Sequence, residues 1–358
     1  MSVDAALVIH PGALGDVLQA VPALRALRRD GPVAVAAQPR LARLLHGLGA
    51  ADAALSFENL GLGELFTETS ASGALADRLR EFARVVSWFG SRDARYPVRL
   101  GAIARAAVVG SPVPDGDAPV WRHLLASIGA SGAPDTAPVD VPADWRARAL
   151  DAVPALGARS HRPALLIQAG AGGEWKRWPA EAFASVIEAA RARLGARILL
   201  HQGPADLRAV EQLEAALGGS PDRLVEPDLP LLAGVLAEVD GYLGGDSGVS
   251  QLAAAIGVPG VILYPAATLA RWAPWCASTT ALAMPTAAAM RVVPRAAAPL
   301  PAMLEAPLAT PAVPDATAAV PEARAMKALE EGALPTAADS IESVSAALTA
   351  AVERGRRE

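Results

Sequence analysis

Cysteine is all but missing from this 358-residue chain: Cys276 stands alone, so no disulfide can close within it, as suits a reducing compartment. Lysine is almost as scarce, at Lys176 and Lys327 only, although Lys and Arg together number 32. No run of eighteen apolar residues is free of Gly, Pro and charge, which excludes a bilayer-spanning helix of ordinary composition. The opening MSVDAALVIHPGALGD carries Asp4 and no basic leader, so it does not read as a secretory signal. Excess positive charge is lacking too. A net charge of −5 and a pI near 5.7 leave no general footprint for nucleic acid. The arginines at 25, 28, 29, 78, 80 and 84 read either as solvated helix faces, the commoner case, or as a local basic patch. Metal-ligand spacing of the HExxH kind is absent.

What is present is apolar material in quantity. Hydrophobic residues make up 52% of the chain and charged residues 19%, enough for two cores at this length. Short apolar runs alternate with helical periodicity. Strands are predicted at 5–10, 33–36, 53–57, 85–89 and 106–109, with helices at 16–29, 40–48 and 74–84 between them. Pro22 should kink the first helix or mark a restart. The pattern loosens over 111–163, which holds helical pieces at 120–128 and 144–152. It then restarts with strands at 164–169, 197–201, 241–243 and 260–263, and helices at 180–194, 206–217, 231–238 and 249–256. Such alternation implies right-handed crossovers and mostly parallel sheets. The expected architecture is α/β, with two Rossmann-like doubly wound domains, 1–158 and 159–358, facing a central cleft. Residues 285–325 form an Ala/Pro-rich insertion, and a terminal helix follows at 338–353.

Three strand-to-helix segments could carry chemistry. The first, HPGALGD from His10 to Asp16, has Gly12 and Gly15 for a tight turn and close backbone approach. It is neither the G-x-G-x-x-G dinucleotide fingerprint nor a Walker loop. Asp16 at the helix start is a capping carboxylate or a general base projecting into the cleft; spacing alone favours the cap. The second, QAGAGGEWKRWP from Gln168 to Pro179, sets glycines beside Lys176 and Arg177, a combination that suits a diphosphate or simply connects a strand to a helix. The third, GGDSGVSQ from Gly244 to Gln251, offers a helix N-terminus to an anion, with Ser247 serving at least as the N-cap. Asp115-Gly-Asp117 has the spacing by which some glycosyltransferases hold a metal diphosphate, but its Pro/Gly surroundings suit a turn.

Taken in order, with LAAAIGVP at 252–259 and ARWAPW at 270–275, these segments resemble the family 9 glycosyltransferases, the heptosyltransferases of lipopolysaccharide synthesis. The resemblance implies the GT-B fold and transfer of a sugar, heptose in that family, from a nucleotide diphosphate donor to a glycan or glycolipid hydroxyl. It implies inversion, an ADP-linked donor as substrate, no cofactor and no metal. Asp16 takes the place of the family's proposed base, and Lys176 that of its phosphate-binding lysine. Asp246, Ser247 and Gly248 match the segment that closes on the donor, and Asp206 more loosely matches an acidic ribose contact. Gln251 replaces a histidine beside the donor, Ala171 and Gly172 replace hydroxyl residues at the phosphates, and His10 replaces a basic residue near the acceptor loop of Gly12 and Gly15. These departures leave open another donor and acceptor, or a family member that binds a nucleotide or partner without catalysis. The expected setting is a cytoplasmic monomer, brought to the inner face of the inner membrane by a lipid-linked acceptor.

Overall fold

The computed structural model of the chain describes residues 4–157, 162–284 and 337–356. The expected Ala/Pro-rich insertion lies outside the described residues.

Two wholly parallel sheets organise the chain. The first comprises β1 (Ala6–Ile9), β2 (Val33–Ala37), β3 (Ala53–Ser56), β4 (Arg84–Ser87) and β5 (Ala107–Val109), in the order β3-β2-β1-β4-β5. Its helices are α1 (Leu14–Gln19), α2 (Val21–Arg28), α3 (Pro39–Gly47), α4 (Gly73–Arg80) and α5 (Arg95–Ile103). The connection to the second sheet carries α6 (Val120–Ser127), α7 (Ala143–Ala152) and the single turn α8 (Pro154–Gly157). The second sheet comprises β6 (Ala164–Gln168), β7 (Arg197–Gln202), β8 (Asp222–Val225), β9 (Gly241–Gly245), β10 (Gly260–Pro265) and β11 (Thr279–Met284), in the order β11-β10-β9-β6-β7-β8. Around it lie α9 (Ala180–Leu194), α10 (Leu207–Leu217), α11 (Leu229–Glu238), α12 (Gly248–Ile256), α13 (Ala266–Trp272) and the terminal α14 (Ala337–Gly355).

The central strands are apolar on both faces because helices cover both. Every residue of β1, β2, β6, β9 and β10 is buried, whereas the edge strand β8 buries only Leu224. One apolar cluster lines the outer face of the first sheet (Leu7, Ile9, Val85) and another that of the second (Leu165, Leu243, Leu263, with Leu348 and Val352 of α14). A third cluster runs without interruption from Val8 and Leu18 through Leu252 to Leu166 and Tyr242, so the two sheets share their innermost core. Helix α1 packs on α12, and α7 packs on α11, where Gly234 admits the backbone of Trp145.

Several expected elements move. The helix expected over 16–29 is two helices that break at Ala20, which puts Pro22 in the first turn of α2, where its missing N–H costs nothing. The helix expected over 74–84 stops at Arg80, since Arg84 already pairs with Ala6 in the sheet. Five elements were not expected from the sequence: α5, α8, α13, β8 and β11. The β8 strand reads Asp-Arg-Leu-Val with one buried side chain, too little alternation to recognise. Four of the arginines tie loops to the fold: Arg25, Arg28, Arg78 and Arg84 each donate to backbone carbonyls of neighbouring segments. Arg25, Arg28 and Arg29 line a common cavity that also holds Asp135 and Asp140.

Candidate active site

In an open parallel sheet, the crevice for a ligand opens where the strand order reverses, beyond the carboxyl ends of the two central strands. Here those pairs are β1 with β4 and β6 with β9. The three segments singled out in the sequence follow β1, β6 and β9. They therefore converge at the switch points of both sheets, and the sheets turn these ends toward one another.

On the first side, Asp16 sits three residues into α1. Its Oδ2 accepts the N–H of Ala13 at 2.8 Å, the return half of a capping box; Ala13 has no side-chain oxygen to complete it. The cap reading is thus realised, but the carboxylate is also partly buried. Burial raises its pKa above the ordinary carboxylate value, against the opposing pull of the Ala13 N–H and of the positive charge on Lys176. Gly12 is required by crowding: a Cβ there would stand 2.7 Å from Asp16 Cβ and 2.8 Å from His10 Cε1. His10 is buried edge-on to Trp88, with its Nδ1 toward the Gly12 N–H at 3.4 Å. Burial lowers its pKa to about 4, so it is neutral at pH 7 and supplies no cation to the loop.

On the second side, Lys176 Nζ donates to Asp246 Oδ2 at 2.9 Å, and the single proton of Thr268 Oγ1 is shared between the same oxygen at 3.2 Å and the Pro265 carbonyl at 3.1 Å. The lysine also lies 5.4 Å from the ring centre of Trp175, whose face is exposed. Ser247 is the N-cap of α12, accepting from the Ser250 N–H at 3.2 Å. Ser250 in turn meets Tyr242 OH at 2.7 Å, which fixes the Gly245–Ser247 turn from beneath. Asp206 is buried with Oδ2 committed to the fold, accepting from Gln168 Nε2 at 3.0 Å and the Gly203 N–H at 2.9 Å. Gln168 Oε1 meets His201, whose pKa burial lowers to about 4. Gly172 faces open space.

The two sides touch. A Cβ on Gly248 would stand 3.0 Å from Leu14 Cβ and 3.2 Å from the Gly15 nitrogen, so the starts of α1 and α12 abut through glycine. Gln251 does not turn toward an open site. It is buried, with its amide bonded to Gln19, Tyr264 and Trp272. The site therefore gathers Asp16, Lys176, Asp246, Ser247 and Gly248, and assigns Gln251 and Asp206 Oδ2 to internal bonds. Thr268, Tyr242, Ser250 and Gln19 were not singled out in the sequence. Gln19 follows Asp16 by one helical turn, which is a usable signal; Thr268 sits in an unpatterned stretch and had none.

Asp115 and Asp117 lie in an exposed loop, where Arg271 of α13 donates to the Gly116 carbonyl at 2.9 Å and stands 4.0 Å from Asp117. Among the described residues no group of three or more His, Cys, Asp or Glu is placed to hold a metal ion. Among the same residues no helix is long and apolar enough to cross a membrane.

Residues 79–296 match the family model described as glycosyltransferase family 9 (heptosyltransferase). The chain belongs to glycosyltransferase family 9. It is accordingly a glycosyltransferase, and the match takes in Lys176 and 246–248 while leaving out the loop of Asp16. Solved structures share the two-sheet fold. A family 9 glycosyl transferase from Veillonella parvula is 18% identical with a TM-score of 0.62, over 79% of this chain and 87% of that one. The E. coli ADP-heptose lipopolysaccharide heptosyltransferase II is 19% identical with a TM-score of 0.60, over 78% and 90%. The E. coli heptosyltransferase WaaC, solved with ADP, is 16% identical with a TM-score of 0.54, over 78% and 93%. Among curated proteins no relative matches.

Proposed function

We propose that this family 9 enzyme transfers a heptose, or a closely related sugar, from an ADP-linked donor to a hydroxyl of a glycan or glycolipid. The observation that carries this reading is the abutment of the starts of α1 and α12, where a Cβ on Gly248 would stand 3.2 Å from the Gly15 nitrogen. Asp16 follows Gly15 on the first side, and Lys176 is tied to Asp246, two residues before Gly248, on the second. One group can hold a proton and the other an anion across a single gap.

In the proposed reaction the acceptor oxygen attacks the donor's anomeric carbon as the bond to the diphosphate breaks, inverting that centre. Asp16 receives the hydroxyl proton, a task its raised pKa suits. Lys176 and the start of α12 at Ser247–Gly248 take up negative charge developing on the leaving diphosphate, where a well-placed donor is worth about 3–4 kcal/mol. This arrangement supplies positive charge without a divalent cation, and metal-independent transfer is part of the proposal. The unit of 1–158 would present the acceptor and that of 159–358 the donor. A monomer working at the cytoplasmic face of the inner membrane is the setting such an acceptor implies.

Calorimetric titration with ADP, GDP, UDP and dTDP, with and without EDTA, tests the donor half. Selective ADP binding that survives EDTA is expected, followed by transfer from ADP-heptose that Asp16→Ala reduces about a hundredfold. Preference for another nucleotide would keep the chemistry and change the sugar. Failure to bind any of the four would favour a chain without catalysis. That alternative draws on the replacement of a histidine by Gln251 and on the long insertion, and the presence of both Asp16 and Lys176 argues against it.

A further inference from the structure

We propose that Gln19 and Gln251 form a buried bracket that sets the distance between the base on α1 and the anion site on α12; the proposal rests on the transferase reading above. Both side chains are shut off from solvent, Gln19 at 0% and Gln251 at 4% exposure. Gln19 Nε2 donates to Gln251 Oε1 at 2.9 Å and lies 3.3 Å from the carbonyl of Trp272. Gln251 Nε2 donates to that same carbonyl at 2.7 Å and to Tyr264 OH at 3.1 Å. A primary amide has two N–H donors. Both donors of Gln251 are spent, so its amide has no hydrogen left for a sugar or a phosphate.

The bracket's position gives it leverage. Gln19 is three residues beyond Asp16, one turn along the same side of α1. Gln251 is three residues beyond Gly248, one turn along α12. The shared acceptor, Trp272, is the last residue of α13, one turn beyond Thr268, which holds Asp246. One pair of amides thus joins the three helices that carry the base, the anion site and the support of Asp246. Trp275 Nε1 adds a parallel tie, donating to the Leu18 carbonyl at 2.9 Å. Apolar contact would let α1 slide over α12, because dispersion has little direction. Hydrogen bonds between buried amides fix the register, since a shift would break the Gln19–Gln251 and Gln251–Trp272 bonds and add unpaired groups to the Gln19 Oε1 that is already buried without a partner. Lys176, Asp246 and Ser247 all belong to the second sheet's side, so loosening the bracket moves Asp16 relative to the donor while leaving the donor's own contacts in place. Gln19 and Gln251 are positioning residues on this account.

The test uses the full chain with Gln19→Met, Gln251→Met and the double substitution, which keep side-chain length. The expected result is a folded double variant that binds ADP within about twofold of wild type and loses at least about tenfold in kcat, a misplacement effect. Each single variant should lose nearly as much as the double. Spin labels at Val98→Cys and Val225→Cys, exposed sites on opposite sides, should give a broader distance distribution in the double variant than in wild type. Weakened ADP binding at unchanged kcat would overturn the proposal and make Gln251 a donor ligand. An unchanged kcat with an unchanged distance distribution would overturn it as well. If the unsubstituted enzyme transfers no sugar from any nucleotide donor, the functional reading fails, while the spin-label distances still decide whether the bracket holds the two sides.

Discussion

Lys176 Nζ and Asp246 Oδ2 lie 2.9 Å apart, so the lysine on the loop after β6 is tied to the end of β9. An incoming diphosphate must compete with this carboxylate or share the lysine with it. Lys176→Ala should therefore weaken ADP binding about ten- to a hundredfold, the range for one charge-assisted hydrogen bond. It should also lower Tm, because Asp246 is left buried without its cation. Calorimetry and a thermal melt measure the two effects separately, and unchanged ADP affinity would put the diphosphate elsewhere.

Asp16 links activity to pH with a definite sign. A general base must be unprotonated, so transfer should fall as pH drops through its raised pKa, at a higher pH than for an ordinary carboxylate. Stability runs the other way. A raised carboxylate pKa means the folded state holds the proton more tightly, so Asp16's contribution is full below the unfolded pKa and is lost as pH rises through the folded one. Asp16→Asn retains an oxygen for the Ala13 N–H and removes the partly buried charge. It should raise Tm at pH 7 while reducing transfer about a hundredfold. A lower Tm would mean the charge stabilises this helix start.

The buried histidines give the opposite slope. His10 and His201 have pKa values of about 4 against an ordinary 6.5, because burial disfavours the imidazolium. Below 6.5 the unfolded chain takes up protons that the folded chain refuses, so stability should fall between pH 6.5 and 4. The loss approaches roughly 3 kcal/mol per histidine at the acid end. Melts of wild type and His10→Gln across this window check it; equal slopes would mean His10 is protonated without cost.

Two glycines separate steric need from open space. A Cβ on Gly234 would stand 2.2 Å from the Trp145 carbonyl oxygen, a backbone atom that cannot turn aside. Gly234→Ala should push α7 off α11 and cost about 1–3 kcal/mol in chemical denaturation. Gly172 has nothing within 4 Å of an added Cβ, and Gly172→Ala should leave stability within about 0.5 kcal/mol. Equal stabilities for the two variants would refute the packing of α7 on α11.

Much of the architecture was legible because parallel strands covered on both faces are nearly pure apolar runs. Segments such as ALVI at β1 and ALLIQ at β6 announce themselves, and the glycines and prolines between them mark the turns. Weakly buried edges did not: β8 has one inward side chain, and α13 has no buried residue. The three chemical segments were readable from glycine spacing and from the isolated Lys176. Their partners were not, because a hydrogen bond such as that from Thr268 to Asp246 depends on where two chain segments meet.

The sequence by itself determined the α/β alternation, the loops that follow β1, β6 and β9, and the presence there of Asp16, Lys176 and Asp246. Periodicity and turn chemistry are local, so they survive in a linear reading. Only the tertiary structure decided the strand orders that put those loops at the two switch points. It alone brought α1 against α12 through Gly15 and Gly248, and turned Gln251 inward to Gln19 rather than outward to a ligand. The last two outcomes depend on contacts between residues more than two hundred positions apart. The orientation of a polar side chain there is set by which partners burial leaves within hydrogen-bonding reach.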